Sequence, residues 1–336
     1  MLLGRSPLRI SFSGGGTDFE DYHNTHTGYS ISTSINLYTY VIAKNRNDDL
    51  LQGFSPDFAS HLSPRSYKKI KPLWGHEIPL ACLKELKFKE GLDIFICTDV
   101  SAGSGLGSSS SLATNIVNVI SKMKHEKWSK NRIAMTAYKI GNYNLKWNIG
   151  KQDEFASAFG GINLYKYTKN KVTITPIKLK KSTRNEIEKN SMLFFIGNRK
   201  PSYDILSEQL KNINKNKLET INALHRVKEL TLEMYDALRK NDLNLFQVIL
   251  KQSWIEKKKY ASGITNKKID LIIKKAFSLG AGAMKVTGAG GGGHLYVYAE
   301  KSKHKSIIRN MAKIGVKNIE FRFTEDGAKV VDVGDI

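Results

Sequence analysis

Between residues 288 and 293 the chain places five glycines in six positions, within the stretch KVTGAGGGGHLYVY at 285–298. Each glycine in an ordered chain costs roughly 0.5–1 kcal/mol in backbone entropy relative to alanine. A tight turn needs one or two. The segment lies between a helix-periodic stretch at 266–280 and the β-rich run GHLYVYAE at 293–300, so a free linker accounts poorly for it. What it offers is bare backbone, whose N–H groups an anion or another chain segment approaches without meeting side chains.

A second glycine segment, GSGLGSSSSL at 103–112, follows a strand-like run at 91–99. It opens a stretch in which Leu112, Ile116, Val119, Ile120 and Met123 recur at helical spacing. Gly103, Gly105 and Gly107 expose backbone donors. Ser104, Ser108 and Ser109 add hydroxyls that cap a helix, contact phosphate or ligate a hard cation, and Leu106 sits among them. A helix N-terminus adds orphan N–H groups and a positive dipole end. The pattern is neither a Walker A loop nor the GxGxxG dinucleotide fingerprint. On its own the segment reads equally as a phosphate cradle and as a capped helix after a flexible turn.

Two further segments carry polar residues beside turns. In RISFSGGGTDF (9–19), Arg9 lies on a strand, Ser13 and Gly14–Gly16 make the turn, and Asp18 follows it. This suits a polar ligand, and suits equally an ordinary β-turn with a solvated aspartate. In GKQDEFASAFGG (150–161), Lys151 stands two residues before Asp153. They make either a surface ion pair or a base held ionised by a cation.

At 336 residues the chain predicts two domains. Strand-like runs at 8–13, 29–45, 91–99, 192–198, 293–300 and 318–327 mix irregularly with helical stretches at 131–147, 202–216, 218–240, 242–259 and 266–280. GGINLYKYT and KVTITPIKL read as a hairpin. The irregular mixture favours α+β over a doubly wound sheet. Residues 55–79 read as loop with short elements, and the charged stretch at 180–191 reads as a linker. The formal net charge of +22, from 53 basic and 31 acidic residues, attracts anions. The lysines are dispersed and no zinc-finger, RNP or helix-turn-helix signature is present, so solvated helix faces rather than nucleic-acid binding explain them. No run of about 20 apolar residues predicts a membrane span, and the N-terminus lacks a signal-peptide core. Cys82 and Cys97 form no metal or redox motif and are expected as reduced thiols in a cytoplasmic protein.

The four motifs occurring in this order resemble the GHMP small-molecule kinases over residues 5 to about 330. That family's phosphate loop is Pro-x-x-x-Gly-Leu-Gly-Ser-Ser-Ala. Here it stands as SAGSGLGSSSS, with Ser101 for the proline and Ser110 for the alanine. PLRISFSGGGTDF, GKQDEFASAFGGIN and YASGITNKKID are similar in particular to bacterial heptose 7-phosphate kinases. The resemblance implies a two-domain α+β GHMP kinase fold, with an S5 domain 2-like N-terminal domain over 1–183, a ferredoxin-like C-terminal domain over 184–336, and the site between them. It implies ATP and Mg²⁺, with Gly103, Ser104, Gly105, Leu106, Gly107, Ser108 and Ser109 around the phosphates and Ser109 as the metal-linked hydroxyl. Asp153 matches the catalytic acid and Arg9 the arginine near the reacting hydroxyl. Ser13, Gly14, Gly15, Gly16, Asp18, Lys151, Gly290 and Gly291 fall on the substrate side.

Gly15 and Gly16 stand where galactokinases carry Glu-His, which argues against galactose. Gly141 stands where many members carry a metal-binding glutamate about twelve residues before the catalytic Asp. Ser11, Ser13, Lys151, Arg199 and the backbone of Gly14–Gly16 are candidates for a distal substrate phosphate. The implied partners are small molecules, with no nucleic acid and no membrane, and a homo-oligomer is compatible. Another GHMP sugar kinase, or a non-catalytic regulator that binds ATP and sugar, is the rival expectation.

Overall fold

The structure is a computed structural model that describes residues 1–70, 75–101, 103–198 and 202–335. The N-terminal half runs β1 (Leu2–Ser13), α1 (Glu20–His26), β2 (Gly28–Asn45), β3 (Leu50–Ser55), β4 (Ser60–Ser66), α2 (Glu77–Glu85) and β5 (Leu92–Thr98). It continues through α3 (Ser108–Met123), α4 (Lys130–Lys139), α5 (Gln152–Phe159), β6 (Ile162–Tyr167) and β7 (Val172–Pro176). Then follow α6 (Lys181–Lys189), β8 (Ser191–Gly197), α7 (Ser202–Asn214), α8 (Leu218–Lys240), α9 (Leu243–Lys257) and α10 (Lys267–Ser278). The chain closes with β9 (Ala283–Val286), β10 (Gly293–Tyr298), α11 (Lys301–Ala312), β11 (Lys317–Ile319) and β12 (Lys329–Asp332).

Two sheets organise these elements. The larger has the order β12-β1-β2-β5-β3-β4, with β6 also pairing the first half of β2 and β7 pairing β6. β3 runs parallel to β5, and the other pairings are antiparallel. The smaller sheet is antiparallel, β11-β8-β10-β9.

β1 is the spine of the site. Its period-2 alternation buries Leu8, Ile10 and Phe12 completely, against Leu230, Met234, Phe246, Tyr296 and Tyr298 of the second half. Arg9 and Ser11 therefore point to the opposite face. Two irregularities interrupt the β1–β2 register: one follows Pro7, and one falls between Ser11 and Ser13, where a bulge re-aims the chain into the glycine turn. α3 lies close over β1. A Cβ at Gly4 would collide with Asn115 and Val119, and Asn115 donates to the carbonyls of Gly4 and Thr39.

Several expectations change in detail. Most of the stretch 180–191 is the helix α6 (Lys181–Lys189), not a linker, because Thr183 and Ile187 give it a buried side. The expected division after 183 falls within that helix. β12 returns to pair with β1, so the first sheet also holds residues from the end of the chain. The strand expected at 318–327 is confined to β11, with Phe323 making an isolated bridge to Ile35. The helix expected at 131–147 gives way to a π-helical turn at Ile140–Asn144. Within 55–79, expected as loop with short elements, β4 pairs with β3 as a hairpin. Cys82 is buried and Cys97 partly buried, and both are free thiols. Among the described residues no helix is long and apolar enough to cross a membrane.

Candidate active site

The site forms where one face of β1 meets the start of α5 and the glycine turn before α3. The Arg9 guanidinium grips Asp153 as a fork: Nε donates to Oδ1 at 2.7 Å and Nη2 to Oδ2 at 2.5 Å. Its Nη1 donates to the Gly105 carbonyl at 2.9 Å, and its backbone N–H to the Leu106 carbonyl at 3.1 Å. One residue thus ties the strand, the glycine loop and α5 together. Arg9 is 3% exposed, whereas the Asp153 side chain keeps 27% of its surface open.

Gly107 caps α3 with φ +77°, a left-handed conformation that disfavours any side chain. A Cβ there would stand 3.3 Å from Asp153 Oδ2 and 3.4 Å from Arg9 Cζ. No side chain caps this helix, so the first-turn N–H groups at Ser108–Ser110 remain orphan donors. Ser109 is exposed and Ser108 half-buried in that turn. Ser104 and Leu106 are buried supports: the Ser104 carbonyl is held by His294 Nδ1 at 2.7 Å.

The two glycine segments meet backbone to backbone. A Cβ on Gly288 would fall 2.7 Å from Gly105 Cα, and one on Gly105 would fall 2.8 Å from the Thr287 carbonyl oxygen. Gly293 is closed off by the Ser104 carbonyl, and Gly290 and Gly291 by Ile264, Gly263 and Ile205. These glycines are required by close packing, with Gly290 and Gly291 seated on residues 263–264. Lys257 donates to the Gly288 carbonyl. Lys285 is buried and donates to the Phe12 carbonyl at 3.1 Å; burial pushes its amine well below the ordinary lysine range, and Lys257 and Arg9 add to this.

On the other side lies the turn Gly14–Gly16. The buried Asp18 carboxylate receives the N–H groups of Gly16 (2.8 Å) and Gln152 (3.0 Å), joining the turn to α5. Burial raises its proton affinity, these two bonds oppose that, and the charge of Asp153 adds to it. Gly16 has no room for a side chain, with Tyr260, Gln209 and Leu224 all within 3.1 Å of a notional Cβ. Gly15 instead faces Gln152 Oε1 and Ser11 Oγ. Ser13 does not line this space. It is fully buried, and its hydroxyl joins those of Thr231 and Ser253 between the two halves. Lys151 is buried over the Tyr138 ring and paired with Glu20 at 3.0 Å, while Glu20 also accepts from the Tyr143 hydroxyl. Arg199 lies outside the described residues.

The motifs pass over two buried groups beside Asp153. Gln152 donates from Nε2 to Ser11 Oγ at 2.9 Å. Glu154 is buried with the Ser110 hydroxyl as only partial compensation, and burial pushes its carboxyl up to about 8, with Asp153 adding to the shift. The strand alternation Arg9/Ser11 was the available signal for the first, and nothing in the sequence marks the second.

A Cβ at Gly141 would meet the side chains of Ile149 at 2.6 Å and Trp147 at 3.3 Å, so a longer residue there requires Ile149 to shift. Among the described residues no three His, Cys, Asp or Glu side chains cluster as a metal site. Mg²⁺ keeps mostly water and phosphate ligands. The open Ser109 hydroxyl at the helix terminus is a donor of the kind it accepts.

The structure thus brings an arginine-held carboxylate to the mouth of an uncapped helix N-terminus, walled by two interlocked glycine loops. The chain matches the GHMP kinases N terminal domain over residues 77–161 and the GHMP kinases C terminal domain over 234–317. It belongs to the GHMP kinases and is an ATP-dependent phosphotransferase with their two-domain fold. It is 29% identical over 335 residues to the D-glycero-alpha-D-manno-heptose 7-phosphate kinase of Campylobacter jejuni, covering 97% of each chain. It is 25% identical over 355 residues to a galactokinase of Clostridium perfringens, covering 93% of this chain and 90% of that one. The crystal structure of a D-glycero-D-manno-heptose 1-phosphate kinase from Bacteroides thetaiotaomicron superposes with a TM-score of 0.83 at 24% identity, over 99% of both chains.

Proposed function

We propose that this kinase transfers the γ-phosphoryl group of ATP to the anomeric C1 hydroxyl of D-glycero-D-manno-heptose 7-phosphate, giving the 1,7-bisphosphate for nucleotide-heptose and surface-glycan synthesis. The observation that carries the phosphoryl-transfer chemistry is the Arg9–Asp153 fork lying against Gly107 at the N-terminus of α3. Support for the sugar comes from the end-to-end similarity to the Campylobacter jejuni enzyme and from bare glycines at 15 and 16.

Phosphoryl transfer depends mainly on positioning and charge stabilisation. Within Gly103–Ser109, the free N–H groups at the start of α3, with its dipole, hold the ATP phosphates, while Ser104 and Leu106 support the loop from below. Asp153 orients the C1 hydroxyl and takes its proton as that oxygen bonds to the γ-phosphorus and the bond to the ADP oxygen breaks. Arg9 fixes the orientation of the carboxylate, and the acceptor approaches over the part of it left open. Ser109 is the protein hydroxyl that would hold Mg²⁺, which when bound neutralises phosphate charge. Gly14–Gly16, Asp18 and Lys151 shape the sugar side, and residues 1–183 and 184–336 are the proposed halves enclosing the cleft, with β12 reaching back into the first.

The test is incubation with Mg·ATP and a panel of acceptors: heptose 7-phosphate, heptose, mannose, galactose, fucose and a uronate. NMR reads the product, and the reading requires a new phosphate on C1 of heptose 7-phosphate. Preferential turnover of fucose, galactose or a uronate would replace it with another sugar kinase. No turnover of any acceptor, with ATP and sugar both bound, would point to a regulator.

A further inference from the structure

The geometry points to Gln152, held by Ser11, as a specificity-determining residue that recognises one ring hydroxyl of the acceptor sugar. The inference rests on the sugar-kinase reading of this site, and on a repeat in how β1 meets α5. Arg9 and Ser11 are two residues apart on the same face of β1, so they stand about 6–7 Å apart along the strand. Their partners are consecutive in α5: Arg9 grips Asp153, and Ser11 accepts a hydrogen bond from Gln152 Nε2 at 2.9 Å. The second pair therefore lies roughly one pyranose ring from the first, towards the Gly14–Gly16 turn.

Gln152 is oriented from several sides. Its backbone N–H donates to Asp18 Oδ2, and its amide is tied to Ser11. The residue is 3% exposed, yet among the described residues nothing donates a hydrogen bond to its Oε1. That oxygen is not one of the buried atoms left without a partner, so it opens onto the space beside Gly15, where water or a ligand hydroxyl reaches it.

Gly15 leaves that place open. A Cβ there would stand 3.4 Å from Gln152 Oε1 and 3.7 Å from Ser11 Oγ, so any side chain at 15 would grow across both polar atoms. With glycine present, the pair offers one acceptor, Oε1, and one donor, the Ser11 hydroxyl proton. A sugar hydroxyl both donates and accepts, and it matches that pair. Sites built to bond a hydroxyl reject analogues that lack it.

Gln152→Met keeps the length of the side chain and removes the amide; Ser11→Ala is the second variant should the first lose its thermal transition. Both are compared with the native protein on the acceptor that the native protein turns over, whichever sugar that proves to be, and on its monodeoxy analogues. The expected result is a 10- to 100-fold rise in KM for the sugar, with kcat and the KM for ATP within about threefold. Calorimetric titration of the sugar onto protein loaded with a non-hydrolysable ATP analogue should weaken by the same factor. One monodeoxy analogue should be disfavoured by the native protein and no longer distinguished by Gln152→Met. A fall in kcat with unchanged sugar affinity, or equal discrimination among analogues in both proteins, overturns the inference. A native acceptor other than heptose 7-phosphate would overturn the heptose assignment and leave this comparison intact.

Discussion

All three nitrogens of the Arg9 guanidinium are committed, two to Asp153 and one to the Gly105 carbonyl. Lysine presents a single point charge and cannot reproduce that fork. Asp153→Asn should keep the fold and nucleotide affinity while lowering kcat by ~10²–10⁴, the usual cost of losing an acid–base group. Stopped-flow turnover alongside ATP titration checks it, and near-native kcat would remove Asp153 from the reaction. Ser109→Ala should raise the Mg²⁺ concentration needed for half-maximal activity, and an unchanged metal dependence would leave the serine as a helix-terminus hydroxyl only. Glu154 gives a pH prediction. Its carboxyl is raised from 4.5 to about 8 in the folded protein. The native state keeps a proton that the unfolded chain releases, so stability falls as pH rises through that window and levels off above it. Glu154→Gln should therefore melt higher than the native protein at pH 8 and not at pH 5, as read by circular dichroism. Melting curves that stay parallel across this range would show that Glu154 keeps its ordinary titration.

At the scale of elements, the glycine segments explain each other. Gly288 and Gly105 touch through their backbones, so the loop after β9 serves as a wall for the loop before α3. Gly288→Ala adds a Cβ at φ +63° with Gly105 backbone 2.7 Å away. It should lower stability by about 1–3 kcal/mol, the range for overpacking, and weaken ATP in the same variant. Urea unfolding with nucleotide titration tests both, and a loss of stability without a loss of ATP affinity would separate the wall from the cradle. This pairing was beyond the sequence, where each glycine run was read alone. Strong periodicities were legible: β2, α3 and α7–α10 stand where apolar spacing put them. The charged stretch at 180–191 was not, because Ile187 and Thr183 acquire a buried side only through the second half of the fold. Ser13 looked like part of a ligand turn, and became an interdomain contact because the bulge after Ser11 swings it towards Thr231 and Ser253.

For the molecule as a whole, the proposed reaction brings two anions into one cleft. The net charge of +22 favours their approach. Raising ionic strength should increase KM for both ATP and the acceptor while leaving kcat little changed, because screening acts on the long-range part of the attraction. Salt-independent KM values would show that the overall charge plays no part in capture. The proposed acceptor is a phosphorylated heptose. Charge-assisted hydrogen bonds contribute about 1.5–3 kcal/mol each, so two of them to the distal phosphate imply a preference of roughly 10²–10⁴ in kcat/KM. The direct measurement is competition between heptose 7-phosphate and unphosphorylated heptose in one Mg·ATP reaction, followed by ³¹P NMR. The 1,7-bisphosphate should accumulate while the free heptose is left unconsumed. Equal consumption of the two would contradict it.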